Sequence, residues 1–128
     1  MIVLDRLDHI VLTVRSIERT CAFYVDVLGM DLITFQGNRK ALIFGRQKIN
    51  VHELGKEYEP KAYVPTPGSA DLCFLTHTPL LDVIHHLNSL SITIEAGPLE
   101  RTGAQGPILS VYIRDPDENL IEISQAMS

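Results

Sequence analysis

LDHIVLTV, residues 7–14, is the stretch on which the fold turns. Ile10, Leu12 and Val14 alternate with His9, Val11 and Thr13, and this period of two with β-branched side chains predicts a strand. Ser16 then caps a helix whose apolar face carries Ile17, Cys21, Tyr24, Val25 and Leu28, with Gly29 as its stop. Three short apolar-rich runs follow, Asp31–Gln36, Lys40–Phe44 and Gln47–Glu53, parted by the turn-like GNR at 37–39 and GRQ at 45–47. The same order then recurs. Asp71–Thr76 (DLCFLT) reads as a strand, and Thr78 caps a helix with Pro79 at its first position and Leu80, Val83, Ile84 and Leu87 on one face. Ser91–Glu95 is a short strand, 97–107 a glycine-rich loop, and Ile108–Arg114 and Leu120–Ser124 are strands joined by the turn DPDEN at 115–119. Leu54–Ser69, with Pro60, Pro65 and Pro67, is an extended connector. The expected class is α+β. Two βαβββ modules, 1–53 and 70–128, make up one domain. Each is a curved four-stranded antiparallel sheet with a helix on its outer face, and the open faces surround a cavity.

Composition narrows the partners. The chain has 128 residues, 45% hydrophobic and 21% charged, which suits a globular domain with its own core. Its net charge of −5 disfavours nucleic acid and anionic membrane, and no apolar run approaches the length of a membrane span. The opening residues carry acids and alternate like a strand, so they do not read as a signal peptide. Two cysteines make no disulfide framework, and the expected location is cytoplasmic. Half-open sheets with edge strands need cover, so a homodimer is expected.

Alternation also assigns faces. Ile121 and Ile123 belong under a helix, which turns Glu122 to the open face; Ile49 and Val51 do the same for Asn50 and His52. Ile10 and Leu12 leave His9 open, and Leu72 and Phe74 leave Asp71 and Cys73 open. Each half thus offers one residue from its first strand (His9, Asp71) and one from its last (His52, Glu122). Two-fold pseudo-symmetry would bring these four together, and two imidazoles with two carboxylates suit a divalent first-row metal. Arg101, beside the flexible TGAQG at 102–106, is placed to clamp a substrate carboxylate. Asn50 and Cys73 are further candidates for substrate contact. His85 and His86 are adjacent on a helix and share no face.

At LDHIVLTV (7–14), FYVDVLGMDL (23–32) and DPDENLIEI (115–123) the chain resembles the vicinal oxygen chelate superfamily of glyoxalase I, bleomycin-resistance proteins, extradiol dioxygenases and methylmalonyl-CoA epimerase. RKALIFGRQKINVHELGKEYEPKA (39–62) and GPLERTGAQGPILSVYIRDP (97–116) are similar to small glyoxalase-domain-containing proteins of the type-five kind. The resemblance implies paired βαβββ modules, commonly in a homodimer. It implies that His9 and Glu122 match the first-strand histidine and last-strand glutamate ligands. His52 stands where glyoxalase I has glutamate or glutamine, and Asp71 where it has a second histidine. Glu118 replaces the common glycine of the DPDGN turn.

The leading expectation is a metal-dependent lyase or isomerase of the glyoxalase kind. A divalent ion (Ni, Co, Zn, Mn or Fe) would hold two vicinal oxygens of a small substrate, such as a hemithioacetal or 2-oxo compound. Glu122 would be both ligand and base around an enediolate. One alternative is an extradiol-type dioxygenase with iron on His9, His52 and one carboxylate. Another is a non-catalytic binder of a toxic small molecule, as bleomycin-resistance proteins are.

Overall fold

Ser16 does what its position predicts. In the computed structural model, which describes residues 1–127, its hydroxyl accepts from the Arg19 N–H at 3.1 Å and opens α1 (Ile17–Asp26) directly after β1 (His9–Val14). Gly29, at φ +69°, closes that helix, its N–H reaching the Val25 carbonyl at 3.1 Å. β2 (Asp31–Phe35), β3 (Arg39–Phe44) and β4 (Gln47–Glu53) complete the first half. The second half repeats the order with β5 (Asp71–Leu75), α2 (Leu80–Ser89), β6 (Ala96–Gly103), β7 (Gly106–Arg114) and β8 (Leu120–Ala126). The class is α+β, two βαβββ units with four strands each. The chain divides into compact units at residues 1–67 and 68–128.

The sheets are mixed, where wholly antiparallel ones were expected. Their orders are β1-β4-β3-β2 and β5-β8-β7-β6, and the first and last strands of each unit run parallel. The reason lies in the connection. The helix returns the chain to the far edge, and two hairpins then bring the fourth strand in beside the first, a geometry only parallel pairing satisfies. In the first unit Leu12, Val14, Ile49, Val51 and Leu42 are buried together with Cys21 and Tyr24 of α1. In the second, Val111, Ile113, Ile121 and Ile123 form the buried face, with Leu80, Val83 and Leu87 of α2.

Two local expectations fail for identifiable reasons. Residues 91–95 are not a strand; Ser91 sits at φ +58°, and the strand begins at Ala96 and runs through the stretch read as a loop. β6 is an edge strand, and there glycine and proline are tolerated because no neighbour needs the missing N–H; a register shift between Ala96 and Leu99 absorbs Gly97 and Pro98. Thr78 does not cap α2 either. Pro79 occupies the N-cap, and the orphan N–H of Leu80 donates to Gln125 Oε1 on β8 at 3.0 Å. The turn before β8 tolerates Glu118 at φ +67° because Asp115 organises it. Its carboxylate accepts from the N–H groups of Asp117 and Asn119 at 2.9 and 3.0 Å and from Asn119 Nδ2 at 2.8 Å. Asn119 Oδ1 in turn accepts from the Ala70 N–H at 2.8 Å, tying this turn to the start of β5.

Candidate functional site

β8 turns Glu122 away from α2, as the flanking isoleucines require: Ile121 and Ile123 are buried in the helix-side core. The pairing register places Cys73 of β5 on one side of Glu122 and Tyr112 of β7 on the other. Asp71 shares this face two residues back along β5, level with Leu120. A concavity of about 650 Å³ opens on the face, and Cys73, Glu122, Tyr112 and Arg101 line it together with the 103–106 turn. Three of the residues singled out in the sequence (Glu122, Cys73 and Arg101) therefore meet in one pocket of the second unit.

A chain of hydroxyls sits beneath the carboxylate. Ser110 Oγ lies 2.6 Å from Glu122 Oε2 and 2.6 Å from Ser124 Oγ, and Ser124 Oγ lies 3.3 Å from Cys73 Sγ. Each hydroxyl has one proton. Ser110 donates to the Glu122 carboxylate, and Ser124 Oγ, which also lies 3.5 Å from Glu122 Oε2, joins it to the Cys73 thiol. Both serines are fully buried. The effect is to fix one carboxylate oxygen and leave the other available to the concavity. Burial pushes the Cys73 thiol above its ordinary pKa; the Ser124 hydroxyl pulls against this and the nearby Glu122 charge adds to the rise. The thiol is therefore held protonated, the weakly nucleophilic form.

The first unit places its residues differently. His9, Asn50 and His52 do share the open face, because His9, Val11 and Thr13 pair with Lys48, Asn50 and His52. That register, however, separates the two histidines by four residues, roughly 13 Å along the strands. The two imidazoles thus start from well-separated positions on this face. Asn50 is two residues nearer to His9, and its Oδ1 is buried with no hydrogen-bond partner. His9 is exposed; its Nδ1 meets Asp8 Oδ2 at 2.9 Å, which holds the Asp8 carboxyl below its usual range and leaves Nε2 free. His52 is buried, edge-on to the Tyr58 ring at 5.4 Å, and its Nδ1 has no partner. Burial and then the Arg39 charge lower its pKa against the pull of Glu57, so the ring is neutral.

Asp71 and Glu122 share a face and are offset by two residues, roughly 7 Å along the strand. Among the described residues no three His, Cys, Asp or Glu side chains form a ready-made ligand group. Sequence reasoning missed Ser110, Ser124 and Tyr112. Alternation in Ile108–Arg114 was the available signal, since it puts Ser110 and Tyr112 on the face opposite Val111 and Ile113.

Comparison with known proteins agrees with this architecture. Residues 6–123 match the model of the Glyoxalase/Bleomycin resistance protein/Dioxygenase superfamily. The chain is 61% identical over 123 residues to the virulence protein STM3117 of Salmonella typhimurium, covering 96% of this chain and 85% of that protein. The crystal structure of STM3117 superposes with a TM-score of 0.97 over 98% of this chain and all of that one, at 60% identity. The glyoxalase domain-containing protein RDO1 of Mycosarcoma maydis is 55% identical over 118 residues, 92% of this chain and 66% of its own length. At 22% identity the likeness is one of fold. Lactoylglutathione lyase from Agrobacterium tumefaciens gives a TM-score of 0.73 over 96% of this chain and 95% of that one. The Listeria monocytogenes fosfomycin resistance protein FosX, complexed with Mn(II), gives 0.65 over 95% and 90%. On the matched residues and these relatives together, the chain belongs to the glyoxalase/bleomycin resistance protein/dioxygenase superfamily.

Proposed function

We propose that the chain is a metal-dependent lyase or isomerase of the glyoxalase kind, acting on a small substrate with vicinal oxygens by proton transfer through an enediolate. The observation that carries this reading is Glu122: a carboxylate with one oxygen fixed by Ser110 at 2.6 Å and set in a concavity of about 650 Å³. A base held in one orientation removes a proton from carbon without first paying for its own reorganisation. A bound divalent ion supplies Lewis-acid polarisation of the two substrate oxygens. Asp71 and Glu122 are its carboxylate ligands in this proposal. Cys73 and Arg101 contact the substrate. The working form is a homodimer in the cytoplasm; among the described residues no helix is long and apolar enough to cross a membrane.

The test is turnover of 2-oxo compounds and hemithioacetals with Ni, Co, Zn, Mn or Fe(II) supplied in excess, run in parallel with oxygen excluded and with oxygen present. Turnover that vanishes on chelation supports the reading. Turnover that needs oxygen and consumes it replaces it with the dioxygenase. Ligand binding without turnover replaces it with a sequestering binder. Metal affinity of Asp71→Asn and Glu122→Gln, measured separately, tests the two carboxylate ligands.

A further inference from the structure

Among the described residues Arg101 is a cation without an acid. Among the ion pairs of the described residues none includes it, whereas Arg114, on β7, is satisfied by Glu95 at 3.0 and 2.9 Å. Arg101 is nevertheless held in place. Its Nε donates to the Tyr112 hydroxyl at 3.0 Å, and its Nη1 donates to the Glu100 carbonyl at 3.2 Å. These two bonds leave Nη2 uncommitted. They also determine what the phenol can offer: the Tyr112 oxygen accepts from Arg101, so its own proton remains to be donated elsewhere.

Position makes this pair more than a solvated charge. Tyr112 lies directly opposite Glu122 in the β7–β8 ladder, with side chains starting about 5 Å apart. Arg101, Tyr112 and Glu122 line the same concavity. One wall therefore carries a carboxylate and the other a guanidinium with a phenol donor. A negatively charged group entering this space is repelled at β8 and attracted at β6. A ligand that brings its reacting carbon to Glu122 must then direct any anionic end toward Arg101.

We propose that Arg101 and Tyr112 form a carboxylate-binding subsite, and that the substrate is a small carboxylic acid whose vicinal-oxygen end lies at Glu122. The carboxylate receives one hydrogen bond from Arg101 Nη2 and one from the Tyr112 hydroxyl, a charge-assisted pair. The assignment of the reacting end rests on the function proposed above; the subsite itself does not need turnover to be seen.

Binding of succinate and of neutral succinamide to the wild-type protein, Arg101→Met and Tyr112→Phe, followed by amide chemical shifts, tests it. The expected result is saturable succinate binding with shifts at residues 101, 112 and 122, weakened on the order of tenfold or more in Arg101→Met and by less in Tyr112→Phe, with no such discrimination for succinamide. Equal succinate affinity in wild type and Arg101→Met overturns the subsite, as does a failure of wild type to bind succinate. A second arm compares 2-mercaptoethanol hemithioacetals of methylglyoxal and of a 2-oxoaldehyde with a terminal carboxylate. Arg101→Met should raise KM for the acid on the order of tenfold more than for the neutral adduct. Succinate binding without turnover of either adduct removes the proposed chemistry and leaves the subsite. Turnover with equal effects of Arg101→Met on both adducts removes the subsite and leaves the chemistry.

Discussion

Ser110 carries more than its size suggests. It is fully buried and bonded at 2.6 Å to both Glu122 and Ser124. Ser110→Ala removes both short bonds and leaves Glu122 only the 3.5 Å contact from Ser124 Oγ, and we expect it to cost about 1–3 kcal/mol in urea unfolding; a stability unchanged from wild type would show that the hydroxyl chain is not formed. His52 makes a second residue-level prediction. Burial and Arg39 place its folded pKa below the ordinary 6.5, so the fold favours the neutral ring. Between the two values the unfolded chain binds more protons. The contribution is therefore complete above 6.5 and is lost as pH falls through the folded value. Stability measured from pH 7.5 down to 5 should fall more in wild type than in His52→Phe, and parallel curves would contradict this. At this scale the sequence was legible where alternation decides: Glu122, Asp71, Cys73, His9 and His52 all lie on the faces their neighbours imply. Buried hydrogen-bond partners were not legible. Nothing in local spacing says that Ser110 will lie beside Ser124, fourteen residues on.

Among the elements, β6 shows where local signals mislead. Gly97, Pro98 and Gly103 all read as turn formers, and all three lie within an edge strand. Gly97 is required there: at φ +106° a Cβ would strike the Ser110 carbonyl oxygen and come within 2.9 Å of Val111 Cα. Gly97→Ala should push β6 off β7, cost at least about 1–3 kcal/mol, and raise hydrogen exchange across the β6–β7 ladder. Unchanged protection would mean that the close approach is not maintained. Register was equally illegible. That His9 pairs with Lys48 and Thr13 with His52 depends on parallel strands joined through a helix and two hairpins, and no short-range pattern encodes that offset. The helix α1, by contrast, begins and ends where Ser16 and Gly29 predict, because caps are local.

Over the whole chain, duplication was the most legible feature, since element order repeats even where residues do not. Two units of like topology carry unlike chemistry. The first sets a neutral buried histidine and an unsatisfied amide on its open face, the second a fixed carboxylate with a thiol, a phenol and a guanidinium. The repeat explains why both faces are open; the substitutions within it explain why the two faces differ in chemistry. The central claim is that Glu122 transfers the proton. Turnover by Glu122→Gln, at saturating substrate and with metal raised until activity no longer increases, measures it most directly. The account predicts activity reduced by about 10²–10⁴-fold, the contribution of a general base, with the fold intact by circular dichroism. Turnover equal to wild type under those conditions would contradict it.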